Sequence, residues 1–595
     1  MNQIVSTSLK AQQRIMETIA NNLANAGVEG YSQREQPLGT NIVSGQNLGV
    51  VILPEQRIGD AQRTEDVRVK TIETRYLEVL SDFYNEIQLR FGEPDDKKSL
   101  GSRLTDLKAT LAQLNDSPET PGNRNEVLRV LKETTSYINQ LGDFFQNQRV
   151  RSANALTDSV KEVNRILQSL EVVNGDLSIA YNKNYPIGTY QDQQDALLKE
   201  LSEYLDIQLL RRDDLRVDIT LNSGDPLLIP TGATTLEFAQ AVSIGPEDES
   251  ADLGRILING YDVTDNIANG KIGAYLYARD VLFPNMQAQF DEFTENLRDH
   301  LNALHNQGSG FPLQQTITGT RVVDGTDTMQ MSGLVRIAVV DNATGNFVGN
   351  PLDLDLTGPA DSINNIVAQI NTHFTTETTG TAVLNADGRL ELSAAAATHG
   401  FAIVSLSDPE AKETTTNLGF SHFFGMNDLL TTEDRFIDDG IASKAGLAQK
   451  LAVRSEIRND ANLISRGKLY TGNPITHPEA LLSGDNTVLG ALIQNFEAIM
   501  VFDNAGNMSS RQESLKDYAN SIWHTAAIDA KNNNSDLQTQ SQILEKSETE
   551  LQGRTGVNIQ EQIIDLMNAQ QIYNTSIYCK KIIDQSFETL TSLIR

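Results

Sequence analysis

Both ends of this 595-residue chain carry apolar residues on a 3.5-residue repeat, and that repeat constrains the fold more than any other feature. Near the start, Val5, Leu9, Met16, Ile19, Leu23 and Ala26 advance in alternating steps of four and three, with Gln12 as the polar member of the series. The spacing makes a narrow amphipathic seam. Such a seam suits a coiled-coil partner, and it suits equally a surface helix lying on a globular core. Gly27 and Gly30 are expected to end this helix, and Pro37, Gly39, Gly45, Gly49 and Pro54 mark loop and short strands to about residue 60. Near the other end, Asn558 with Glu561 three residues on forms a capping pair. Beyond it, Ile563, Leu566, Tyr573, Ile577, Ile583, Phe587, Leu590 and Ile594 form a stripe that drifts around a 3.6-residue wheel, as a 3.5-residue pattern must.

Between the ends the period changes several times. From 61 to 205 apolar residues recur at helical steps, with breaks at Gly92–Pro94, Ser117–Asn125 and Asn182–Gly188, which predicts a helical bundle. Leu215, Val217, Ile219 and Leu221 alternate with polar residues, so 206–269 reads as a small β subdomain. Helical spacing returns at 270–310, where Met286, Phe290, Phe293, Leu297, Leu301 and Leu304 share a face. Residues 311–436 are rich in Thr, Gly, Asp and Ala and hold short strand-like runs around one helix, which predicts an inserted β-rich outer domain. Helices resume over 437–549, where a long polar helix covers about 508–550 and Gly553 and Gly556 interrupt it. The expected fold is mainly α. Terminal coiled-coil segments at 1–60 and 550–595 flank a helical bundle with inserted β-rich or α+β domains, in a chain that goes out and returns.

The chain holds 48 Lys and Arg against 79 Asp and Glu, a net charge of −31. That charge argues against nucleic acid and against a polybasic membrane surface as partners. It is unevenly placed. Residues 1–60 hold four basic and five acidic side chains and residues 556–595 hold three and four, so each end is net −1 and the middle carries −29. The lone Cys579 allows no intrachain disulfide and reads as a small, half-buried packing residue. No apolar run approaches a membrane span, and the N-terminal sequence lacks the pattern of a cleaved signal peptide. No zinc-protease, phosphate-loop, dinucleotide or nucleophile-elbow motif occurs. His300 and His305 stand five apart, whereas a ligand pair on one helix face needs three or four. The stretch Glu247–Asp252 reads as a solvated acidic loop before a calcium loop. No catalytic residue, metal or cofactor is expected.

One string is recognisable. Ile19-Ala20-Asn21-Asn22-Leu23-Ala24-Asn25-Ala26-Gly27-Val28-Glu29-Gly30-Tyr31-Ser32 resembles the N-terminal signature of the bacterial flagellar rod, hook and hook-associated proteins. Gly556 to Glu561, followed by Leu566, Gln570, Gln571, Tyr573 and Ile583, resembles their last helix. The long helical body resembles the hook-associated branch, which joins hook to filament. Gln33-Arg34 reverses the family's usual Arg-Gln, and Ser8-Leu9 replaces its Gly-Leu. The resemblance implies a structural subunit exported unfolded through the flagellar apparatus and placed outside the cell. It also implies the partners: further copies of itself, the hook protein, a second junction protein, and an export chaperone on the C-terminal helix. The assembly residues it implies are the two seams above together with Asn21, Asn22, Asn25, Gly30 and Tyr31. Another axial protein, or a glycan-binding module in the inserted domain, is the competing reading.

Overall fold

A computed structural model describes residues 2–43, 46–93, 96–249, 252–432, 444–482 and 484–594. Helix α1 covers Asn2–Ala24. It ends three residues before Gly27, and Gly30 then takes the left-handed conformation at φ 79°. An antiparallel hairpin follows, Leu38–Val43 against Gln46–Ile52, and folds back onto α1. At their closest approach Gly49 lies over Thr7, and a Cβ on Gly49 would enter the space of the Thr7 hydroxyl.

Helix α2 (Ala61–Phe91) starts where Asp60 accepts the Arg63 amide at 3.1 Å. Ser99 caps α3 (Leu100–Asp116) in the same way. Helix α4 runs from Pro121 to Asn182, 62 residues without interruption, and so reaches about 93 Å. Proline at its first position supplies the helical φ where no amide donor is needed. Helix α5 covers Gly188–Ser202, α6 Gly270–Tyr277 and α7 Phe283–His305.

No single domain can cover so long a helix, and α4 serves two cores. Its first half, Val127 to Phe145, packs with α2, α3 and α7. Phenylalanines knit that core, edge-on for Phe83–Phe283 and tilted for Phe145–Phe290, with ring centroids 5.3 Å apart in both pairs. Its second half, Leu156 to Leu170, packs with α5, α6 and the strands Ile207–Arg211, Val217–Leu221, Pro226–Ile229, Leu236–Ala239 and Arg255–Ile258. The expected division at 205/206 therefore falls inside one core. The strands complete the cover of α4 instead of forming a unit of their own.

The acidic loop that precedes Arg255 is held from inside. Arg149, buried on α4, donates to the carbonyls of Gly245 and Asp248, both at 2.8 Å. Arg279, also buried, donates to the carbonyl of Leu253 at 2.6 Å.

The outer domain has its own core. Strand Leu334–Asp341 lies between Leu352–Asp355 and His399–Ser405, all antiparallel, and every residue from Val335 to Val340 is buried. A second antiparallel sheet orders Thr316–Thr318, Leu390–Ala394 and Gly380–Leu384, with α8 (Ile363–Thr376) across it. Three short helices follow: α9 (Phe420–Phe424), α10 (Leu447–Lys450) and α11 (Ser455–Asn459). The expected boundary at 436/437 lies outside the described residues. Helix α12 (Thr487–Asn495) and the start of α13 (Leu515–Thr555) return to the first core, so the chain re-enters the body it left. Gly553 sits within α13 and does not break it. The helix stops only at Gly556. Helix α14 covers Ile559–Ile594.

His305 joins the return to the outgoing helix. Fully buried at the end of α7, it accepts the Ser465 amide at Nε2 (2.9 Å), which leaves Nδ1–H to donate to the Asn427 carbonyl (2.7 Å). Burial pushes its pKa down to about 4. Because the folded pKa lies below the unfolded value, His305 contributes stability above about pH 6.5 and loses it as pH falls toward 4. The expected loss is on the order of 3 kcal/mol over that window. In denaturant melts from pH 7 to 4, His305→Gln should lower stability at pH 7 and flatten the acid slope.

Candidate assembly interface

The two terminal helices pair with each other. They run antiparallel, with Ser8 opposite Ser576 (3.4 Å), Gln13 donating to Tyr573 (3.2 Å) and Asn22 donating to Gln562 (2.8 Å). On α1 the seam residues Val5, Leu9, Met16 and Leu23 are half-buried, and Ile19 is buried. On α14 the inner line runs through Gln562, Leu566, Ala569, Tyr573 and Ser576 in alternating steps of four and three, and resumes seven residues on at Ile583.

This line differs from the expected one by one residue at two places. Ile563 and Ile577 face outward, at 46% and 43% exposure, where Gln562 and Ser576 face the partner. Leu566, Tyr573 and Ile583 lie on the expected line, and Gln562 and Ser576 stand where Ile563 and Ile577 were expected. Gln562, Ala569 and Ser576 share the inner face with Leu566, Tyr573 and Ile583, while Ile563 and Ile577 turn out. Cys579 is likewise exposed, contrary to its expected half-burial, because the seam passes through 576 and 583. Phe587 and Leu590 are exposed at 70% and 58%. The pairing register puts Asn2 opposite Ile582, so the last turns of α14 run past the start of α1. The side chain of Ile594 lies outside the described residues.

Asn22 is the hub of this region and is fully buried. Its amide nitrogen donates to the Arg34 carbonyl and to Gln562 Oε1, both at 2.8 Å. Its amide oxygen accepts the Arg34 N–H and the Tyr31 hydroxyl, both at 2.9 Å. Two donors and two acceptors are the whole capacity of an asparagine side chain, and all are used. Burial pushes the Tyr31 phenol up, which keeps its proton available to Asn22. The left-handed Gly30 turns the chain so that Tyr31 and Arg34 reach back to α1. Asn25 donates to the Asn21 carbonyl at 2.8 Å and steadies the helix end, while the side chain of Asn21 is exposed. The Gln33 amide donates to the carbonyl of Thr555 at 2.7 Å, which links the loop to the end of α13.

The same loop grips the helical body. Arg34, whose guanidinium lies 4.8 Å from the Tyr31 ring centroid, bonds Asp192 of α5. Arg57 donates to Asp192 at 2.8 Å and pairs with Asp195 at 2.6 Å. Gly188 opens α5 at a point where any side chain would overlap Arg34. Asp192, Asp195 and Arg57 gave no signal in the sequence, since one carboxylate among 79 acidic residues is anonymous until its partner is placed.

Residues 84–320 match the family model described as the flagellar hook-associated protein FlgK helical domain, and residues 4–31 match that of the flagella basal body rod protein. The chain is 24% identical over 276 residues to flagellar hook-associated protein 1 of Bacillus subtilis (strain 168), covering 44% of this chain and 51% of that one. The match thus spans about half the length of that relative. With the protein of the same name from Salmonella typhimurium it is 22% identical over 426 residues, 66% of this chain and 71% of that one. The flagellar hook junction protein FlgK from Burkholderia pseudomallei aligns over 82% of this chain and 99% of its own, at 14% identity and a TM-score of 0.47. The rod-protein match contains Asn22 and Tyr31, so the shared signature includes two members of the buried network.

Asn22→Asp should open this region without unfolding the body. A carboxylate cannot donate, so the Arg34 carbonyl and Gln562 lose their partner, at about 1–3 kcal/mol. Hydrogen exchange should show the amides of α1 and of residues 31–34 exchanging about 10- to 100-fold faster, with those of α4 unchanged.

Proposed function

We propose that this chain is a structural subunit of the bacterial flagellum, placed at the junction of hook and filament, and that it performs no catalysis. One observation carries the reading. The terminal helices pair through a seam that uses Leu566, Tyr573 and Ile583 of α14, and α14 still turns Ile563, Ile577, Phe587 and Leu590 toward solvent. A helix whose large apolar residues face away from its own chain is built to be covered by others. Neighbouring copies of this chain cover them in the assembly, with the hook protein on one side and the second junction protein on the other.

The near-neutral ends support the same reading. Close packing of many copies through segments of net −1 costs little repulsion, and the −29 of the remainder stays outside, where it favours solubility. Export through the flagellar apparatus, and an export chaperone on the outward face of α14 before secretion, complete the proposal. Among the described residues no helix is long and apolar enough to cross a membrane.

The test separates pairing from assembly. Ile577→Asp alters an exposed residue, so the monomer should keep its melting temperature within about 1 °C, yet cells should secrete the chain and fail to grow filaments. Leu9→Asp strikes the pair itself and should in addition expose both ends of the monomer to limited proteolysis. Normal filaments on Ile577→Asp cells would refute the outward-face assignment.

A further inference from the structure

A large cleft opens where the terminal helices meet the body. It holds about 1050 Å³, above the ~300–1,000 Å³ of ordinary small-molecule pockets, and so has room for a piece of protein. Its walls are the loop after α1, the start of α2, part of α5, the strand Ile207–Arg211 and the link between α13 and α14. Val28, Val67, Leu198, Leu209, Leu551 and Val557 give it an apolar lining, of which Val28 is exposed.

Two observations mark this cleft as more than a gap. The first is a pair of glycines in its wall, Gly27 and Gly553, neither of which takes a left-handed φ. A Cβ at either position would meet nothing within 4 Å. Gly553 lies inside α13, where glycine costs stability relative to alanine, so nothing within the chain accounts for it. The second is Arg68, which lines the cleft and is 5% exposed. Its Nε donates to Glu65 at 2.9 Å and its Nη2 bonds the same carboxylate, but its Nη1 is buried with no acceptor. The other cations of the wall are engaged, Arg57 with Asp192 and Asp195, Arg211 with Asp195, and Lys199 with Glu548. A charged donor left buried and unbonded is costly, and it favours an acidic partner.

The complementary feature stands at the opposite end of the terminal pair. Residues 583–594 of α14 lie beyond the start of α1 and expose Phe587, Leu590 and Leu593. The charged residues of that stretch are Asp584 and Glu588, both acidic. Tip and cleft are separated by the length of α1, 23 residues or about 34 Å, so no chain reaches its own cleft. We infer that the cleft receives the α14 tip of a second copy of this chain, with Glu588 on Arg68 and the large apolar side chains against the glycine-lined wall. A helix end seated in a groove joins unlike surfaces, and such a contact propagates from copy to copy. The inference rests on the reading that neighbouring copies cover the outward face of α14.

A labelled peptide of residues 578–594, titrated into the full chain and read by fluorescence anisotropy, tests the inference. Saturable binding is expected, and Glu588→Lys in the peptide should weaken it about tenfold or more. Gly553→Leu in the full chain fills the wall. That variant should melt no lower than the parent chain, since leucine favours a helix over glycine, yet bind the peptide about tenfold more weakly or worse. Val28→Asp, at an exposed position, is a second variant of the cleft with the same expected loss. No saturable binding, or full affinity in Gly553→Leu and Val28→Asp, overturns the proposal. The peptide assay does not involve the flagellum. Absent binding together with lost filaments on Ile577→Asp cells overturns the docking and leaves the junction reading standing, and binding together with normal filaments on those cells does the reverse.

Discussion

The buried amide of Asn22 joins the beginning of the chain to its end. A side chain with two donors and two acceptors, all used, fixes three segments at once: α1, the Tyr31–Arg34 loop and α14. The fixation is strict because each bond lost in a buried site leaves a second polar group unsatisfied. Once these segments are fixed, the chain between them must leave and come back. The long α4, the outer domain and the returning α13 are what that excursion consists of.

Coupling between the ends and the body is ionic, and it is made through Asp192 and Asp195 of α5. These carboxylates are largely shielded and each meets a guanidinium group, so the contact is more directional than an exposed ion pair. The terminal helices themselves are held to each other by a seam of polar and apolar side chains. The consequence is a graded molecule. Two large apolar cores form around α4 and a third lies in the outer domain, while the ends depend on a few hydrogen bonds and on surfaces that face outward.

Much of this was legible along the chain. The α1 seam could be read because Val5, Leu9, Ile19 and Leu23 are apolar and regularly spaced. The strand Val217–Leu221 and the helix of the outer domain were legible for the same reason. The α14 seam was legible at Leu566, Tyr573 and Ile583 but not at Gln562, Ala569 and Ser576. Large apolar residues dominate a sequence pattern, and Ile563 and Ile577 line the face that a single chain leaves open. The division at 205/206 failed for a related reason. A change of period marks a change of local structure, but the second half of α4 needs those strands as cover, and cover is not a local property.

The sequence by itself determined the periods, the placement of charge and the terminal signature, because each is a property of residue order. From these followed a chain of mainly helical units with an inserted β-rich domain and two matched, nearly uncharged ends. Only the tertiary structure decided which residue meets which. It set the register of α14 against α1 and chose Asp192 and Asp195 out of a crowd of equivalent acids. The reason is physical. Spacing depends on bonds along the chain, whereas pairing depends on burial and on charges brought close through space, and neither exists until the chain has folded.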